Sequence, residues 1–149
     1  MSERARLPDL FGRFTIVMRG HADVGRTLQQ LRAMCGALES GQGLLPESLT
    51  PLRLITKLRD ELSEHFGLEE APGYFGIVVE EEPTLESAIE ALCAEHRVML
   101  RALEELLALA PDRATWARLP GPILELVRQL ELHERAEAAL LRELFRPTR

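Results

Sequence analysis

Apolar residues recur every three or four positions in four separate stretches of this chain. The first runs Phe14, Val17, Val24, Leu28, Leu31, Cys35, Leu38, with His21 in step; the second runs Ile55, Leu58, Leu62, then His65 and Glu69. The third is Leu85, Ile89, Leu92, His96, Met99, Leu103, Leu106, and the fourth is Ile123, Leu126, Leu130, His133, Glu137, Leu140, Leu144. Such spacing marks the inward face of an amphipathic helix. The chain has 4 histidines, and each stripe carries one of them. A narrow seam takes about two positions in seven, so this placement asks for a chemical cause.

Punctuation between the stripes predicts helices over about residues 11–38, 51–70, 84–110 and 121–145. Glu39 to Leu49 reads as a Gly/Ser/Pro-rich loop. Thr50 supplies a cap and Pro51 a first helical residue that loses nothing by lacking an N–H. Ala71-Pro72-Gly73 stops the second helix. Tyr74 to Glu82 is expected to be a connection; its Gly-Ile-Val-Val run is β-prone but too short and solitary for a sheet. Pro83 opens the third helix, Arg113 to Leu119 forms a partial turn, and Pro120-Gly121-Pro122 leads into the fourth. The expected fold is all-α: an antiparallel up-down-up-down four-helix bundle in one domain, residues 1–149. At 1.5 Å of rise per residue, His21 lies roughly 14 Å, His65 roughly 8 Å, and His96 and His133 roughly 18–20 Å from one end of such a bundle. Those depths are compatible with a single site near its middle.

Composition narrows the classes. With 46% hydrophobic residues in 149, the chain can bury one core, and only 5% aromatics beside abundant Leu, Ala, Glu and Arg favour helix. A net charge of −6 argues against general nucleic-acid binding, which needs a basic face. No run approaches the ~18 apolar residues of a membrane span, and the first residues lack a signal-peptide pattern. Two cysteines, Cys35 and Cys93, are too few for a disulfide framework. The expected compartment is the cytoplasm, with no membrane and no nucleic-acid partner; a protein partner is unknown.

Glu69 follows His65 by four residues and Glu137 follows His133 by four, so each pair shares a helix face. The stripes then bury four imidazoles and two carboxylates, which uncompensated would cost several kcal/mol per ionised group. A cation removes that cost. Imidazole with carboxylate suits iron, with manganese or zinc also possible. Six ligands exceed one tetrahedral zinc. They suit two metals if Glu69 and Glu137 both bridge, leaving positions for a bridging oxide or hydroxide and an exogenous ligand. Ligation needs neutral imidazoles, so metal would be released as the pH falls below about 6. Ferritin-like sites place Glu three residues before each ligand histidine; Met18, Leu62, Cys93 and Leu130 stand there instead. A zincin needs a second His where Glu137 sits. Cys93, three residues before His96, is within reach of the site, and Glu64, Glu70, Glu95 and Glu134 flank the donors as candidate partners for an imidazole N–H. Trp116 is expected to pack against one bundle end, and the Glu80-Glu81-Glu82 run to complement the dipole of the third helix.

His65-Phe66-Gly67-Leu68-Glu69-Glu70 resembles the HFxxEE motif of the second helix in hemerythrin-like (HHE cation-binding) domains. His21, Glu95-His96-Arg97 and His133 with Glu137 resemble the signatures of the other three helices, so the likeness covers nearly the whole chain. The resemblance implies a four-helix bundle holding an oxo- or hydroxo-bridged di-iron centre that binds or senses dioxygen or a related small oxidant. His21 and His65 would ligate one iron and His96 and His133 the other. The chain departs from oxygen-carrying hemerythrins on the third helix, where Leu92 and Leu100 replace a second histidine one turn from His96. On the fourth, Ala138 stands where those proteins carry Asp, and Glu137 is the substitute. These departures make stable reversible oxygen carriage doubtful. They keep two alternatives open: a di-iron oxidase or peroxide- or nitric oxide-handling enzyme, and an interaction module with a regulatory metal site.

Overall fold

The computed structural model describes residues 3–41, 45–70 and 74–144, with side chains from residue 12 onward. It contains helices α1 (Glu3–Glu39), α2 (Pro51–Glu69), α3 (Tyr74–Glu81), α4 (Glu86–Leu109) and α5 (Pro120–Leu144), with 3-10 turns at Glu47–Leu49, Pro83–Leu85 and Arg113–Arg118. No strand occurs among the described residues. No helix is long and apolar enough to cross a membrane.

The four expected helices are present, and their ends show what local sequence controls. α1 starts at Glu3 rather than near Phe11, since Glu3 to Arg6 are good helix formers that continue the helix outward from its apolar stripe. At its other end the Ser40 N–H still donates to the Gly36 carbonyl at 3.0 Å, and Gly41 turns the chain away with φ of 71°. That conformation favours a residue without a Cβ. Thr50 precedes α2 in an extended conformation, and Pro51 takes the first turn as expected. The Thr50 hydroxyl does not cap the helix; it donates backwards to the Glu47 carbonyl at 3.1 Å. The Ala71-Pro72-Gly73 stop and Phe145 lie outside the described residues.

The segment expected to be a plain connection is helix α3. Tyr74, Phe75 and Val78 fall on one face and are buried, and α3 packs against α1, α2 and α4. Burial against three helices outweighs the β-preference of the Ile-Val-Val run, because propensity is a weak prior beside tertiary contact. Arg113–Arg118 is a 3-10 turn in place of the partial turn expected; Trp116 packs on the core from it and donates from Nε1 to the Ala110 carbonyl at 2.8 Å.

The long helices meet as a ring of neighbours, α1 with α2, α2 with α4, α4 with α5 and α5 with α1. Inside the ring the apolar side chains form two clusters. The larger holds Val24, Leu28, Leu31, Leu58, Leu62, Phe66, Met99, Leu103, Leu126 and Leu130 among others. The smaller holds Val17, Tyr74, Phe75, Val78, Ile89, Leu92, Leu140 and Leu141. On α1 His21 falls between Val17 and Val24, on α4 His96 falls between Leu92 and Met99, and on α5 His133 and Glu137 fall between Leu130 and Leu140. Each of these flanking pairs belongs to the two different clusters. The buried polar residues therefore form a layer between two apolar ones.

Leu103 is fully buried in the larger cluster. Leu103→Ala is expected to lower the unfolding free energy by about 2–5 kcal/mol, read from urea denaturation followed by circular dichroism.

Candidate metal centre

Each donor reaches the polar layer because it sits on the inward stripe of its helix, one turn from a buried apolar side chain. His65, His96 and His133 are 5%, 1% and 4% exposed, and Glu69 and Glu137 are 0%; His21 lies at the edge of the layer. Donor atoms of His21, His65, Glu69 and Glu137 all lie within 4.8 Å of one another. Glu69 Oε1 is 2.7 Å from His65 Nε2, and Glu137 Oε2 is 3.4 Å from His21 Nε2. The same Glu137 oxygen lies 3.9 Å from His133 Nε2, whose neighbour His96 Nε2 is 3.1 Å away. Glu137 thus joins a His21–His65 pair to a His96–His133 pair, while Glu69 lies with the first pair. All six predicted donors belong to one connected set.

The far nitrogens of the second pair are held by carboxylates. His96 Nδ1 is 3.2 Å from Glu70 Oε1, and His133 Nδ1 is 2.6 Å from Glu95 Oε2. Of the four flanking glutamates, Glu70 and Glu95 take this role; Glu64 is exposed and Glu134 half-buried. Phe66 lies flat on the His96 ring, with centroids 3.7 Å apart and planes 8° apart, and Phe75 is near-parallel to it at 6.0 Å. Phe66 therefore orients the His96 ring on a neighbouring helix, a role that helical periodicity alone does not reveal.

Two features of this layer call for a cation. First, no well-directed hydrogen bond reaches the four carboxylate oxygens of Glu69 and Glu137, although imidazole nitrogens of His65 and His21 face them, and His65 Nδ1 and the Tyr74 hydroxyl are buried without a partner. Leaving so many buried polar atoms unpaired costs about 1–3 kcal/mol each, more for charged groups. Second, the chain Glu95–His133–His96–Glu70 contains three close contacts, whereas two neutral imidazoles carry only two N–H groups. The deficit is met by a third proton, which charges a buried ring, or by a cation taking both Nε2 lone pairs. In the second case each Nδ1–H donates to its carboxylate, the arrangement that commonly supports metal-bound histidine. The Nε2 atoms of His96 and His133 lie 3.1 Å apart, a separation that one N–H···N hydrogen bond or a shared cation would each produce.

Burial and neighbouring charge set the protonation of the layer. Burial, then the adjacent Glu137, pushes the Glu69 carboxyl well above the usual range. Glu137, despite burial that raises it, is held below that range by His21 and Glu69. Burial lowers His65 to about 4, helped by the other rings, and lowers His96 to about 4 with His133 beside it. Burial also lowers His21, but Glu137 outweighs it and the net shift is upward. The metal-release threshold expected near pH 6 therefore does not apply uniformly: His65 and His96 stay neutral well below it, and protons compete first at His21 and Glu69.

Two surface clefts approach the layer. One of about 220 Å³ is lined by Ile16, Arg19, Gly20, Glu61, His65 and Leu68 in part. The other, about 380 Å³, is lined by Glu95, Val98, Met99, Leu132 and His133 in part. Cys93 comes close to Glu70 and His96, and burial with Glu70 raises its thiol to about 11. Gly20 is the contributor that the apolar pattern could not show. A Cβ there would stand 2.4 Å from His65 Nδ1, so α1 makes room for the ring only by having no side chain beside His21.

No family model matches the chain, and no match is found among curated proteins or solved structures.

Gly20→Ala is expected to push the His65 ring aside. The overpacking should cost about 1–3 kcal/mol in metal-free protein and weaken retention of divalent metal in dialysis more than it weakens folding; unchanged retention would contradict the close approach. The raised Glu69 has a separate consequence. In metal-free protein near neutral pH the folded chain keeps a proton there, between its ordinary 4.5 and the higher folded value, and a metal must displace it. Binding of manganous ion should release at least one proton per chain, and apparent affinity should rise with pH. Calorimetric titration in two buffers of different ionisation heat reads the release directly; zero release would count against Glu69 as a ligand.

Proposed function

We propose that this chain is a hemerythrin-like protein binding two iron ions between His21, His65, Glu69, His96, His133 and Glu137, and that the loaded centre binds or senses dioxygen or a related small oxidant. The observation that carries this reading is the pair of fully buried acidic side chains, without well-directed hydrogen bonds, set among four imidazoles on four helices. The HFxxEE-like segment at His65–Glu70 supports it, as does the order in which the helices cross the layers. α1 and α4 pass from the smaller apolar cluster to the larger, whereas α5 passes the opposite way and α2 ends at the polar layer after traversing the larger cluster. That order supports an up-down-up-down arrangement.

His21 and His65 would hold one ion and His96 and His133 the other, with Glu137 bridging and Glu69 bridging or closing the first pair. A ferrous pair in this setting supplies electrons to a bound oxidant. The protein's own part is positional. Glu70 and Glu95 keep Nδ1–H on His96 and His133, so each ring presents Nε2 inward. Phe66 prevents the His96 ring from turning. The apolar clusters on either side cover the layer, and clefts lie beside His65 and His133. Manganese remains compatible with the same donors.

A second reading has its own support. Leu92 is buried in the smaller cluster and Leu100 packs against the larger, so no second imidazole from α4 stands one turn from His96. One ion is then less saturated, which favours oxidase or peroxide- and nitric oxide-consuming turnover over a lasting adduct.

Anaerobic reconstitution with ferrous iron is expected to give two irons per chain, with new near-ultraviolet and visible absorption on admitting air. His65→Ala and His133→Ala should each remove at least one iron while keeping the helical circular dichroism of the parent. Two irons retained in both variants would overturn the assignment. A stable spectrum without consumption of added peroxide supports the binding role, and sustained consumption supports the enzymatic one.

A further inference from the structure

The His96 ring has a second functional edge. Its Nδ1 faces away from the inner donors, and with Glu70 and Cys93 it forms a group whose ligand atoms all lie within 4.8 Å of one another. Glu70 Oε1 is 3.2 Å from that nitrogen. Glu70 caps the C-terminal end of α2 and is half-buried, and Cys93 lies one turn before His96 on α4, also half-buried. Sulfur, nitrogen and oxygen donors converge there with one side open to solvent. We propose that Glu70, Cys93 and His96 form a second metal site that takes a soft divalent cation of the zinc class.

The chemistry suits such an ion and not the inner ones. A thiolate favours zinc and its heavier relatives over iron or manganese held by oxygen and imidazole. Three protein ligands and an open fourth position match a zinc site that keeps a water. The inner layer offers no sulfur; the other cysteine, Cys35, is buried within the larger apolar cluster.

Proton counting links the two sites. An outer cation consumes the Nδ1 lone pair of His96 and leaves the ring's hydrogen on Nε2. That hydrogen then donates to His133 Nε2 across 3.1 Å, and His133 Nδ1–H donates to Glu95 across 2.6 Å. Every contact in the chain is satisfied without an inner ion on these two rings. Inner ligation of His96 requires the opposite tautomer, with Nδ1–H donating to Glu70. Phe66 stacked on the ring prevents a flip that would exchange its edges. The two modes of binding at His96 are therefore exclusive. This exclusion rests on the inner iron reading proposed above, whereas the outer site does not.

Cadmium added to the metal-free full-length chain tests both parts, read by the ultraviolet sulfur-to-cadmium charge-transfer band. One equivalent should produce the band. Cys93→Ser should abolish it with helical content unchanged, while Cys35→Ser and His65→Ala should retain it. Absence of the band in the parent, or its persistence in Cys93→Ser, would overturn the site. Anaerobic ferrous iron added afterwards should bleach the band as iron binds. Two irons bound with the band intact would overturn the exclusion, and failure of iron to bind in cadmium-free parent protein would defeat the inner reading while the band still upheld the outer one.

Discussion

Two carboxyl groups, Glu69 and Glu137, are wholly removed from water, and the imidazole nitrogens that face them make no well-directed hydrogen bond. In an aqueous protein this is a standing electrostatic debt, since acidic groups buried without well-placed donors are among the costlier features a fold can carry. Much else in the structure is arranged around it. Four helices each bring an imidazole to the same depth, and two apolar clusters close over the layer from both sides. One carboxyl is pushed toward its neutral form and the other is kept ionised beside His21. A metal ion held by these donors would resolve all of these at once, which is the basis of the proposed binding site.

The surrounding residues divide the labour by distance from the layer. The inner nitrogens and Glu137 form a continuous path from His21 to His133, whereas Glu70 and Glu95 work from the partly exposed rim. Both rim carboxylates lie within hydrogen-bond reach of an imidazole nitrogen. Aromatic stacking and the missing side chain of Gly20 then fix ring positions that hydrogen bonds alone would leave free to rotate. Cys93 lies on this rim too, so the same imidazole that serves the inner layer is available to softer cations from outside.

Much of this was legible in residue spacing. The stripes placed His21, His65, His96, His133, Glu69 and Glu137 on inward faces, because a helix repeats every 3.6 residues and burial selects one face. Pro51 marked the start of one helix, and the Gly/Ser/Pro-rich stretch from Glu39 the end of another, through backbone restrictions that are local by nature. Sequence spacing did not reveal helix α3: its Tyr74 and Phe75 are buried only because three other helices present a surface to them. Nor did it show that Thr50 would turn its hydroxyl back to Glu47 rather than into the helix, or which flanking glutamates would meet an imidazole.

By itself, then, the sequence determined which residues point inward, how many helices carry them, and that imidazoles and carboxylates share one apolar interior; those are consequences of periodicity and side-chain chemistry along a single chain. Only the tertiary structure decided that Glu137 stands between two histidine pairs, that Phe66 lies flat on His96, that Gly20 makes room for His65, and that Cys93 meets Glu70 at the rim. Each of these depends on the rotation and axial offset of one helix against another. Those are fixed by how whole side-chain surfaces interlock, and no repeat within a single helix encodes them.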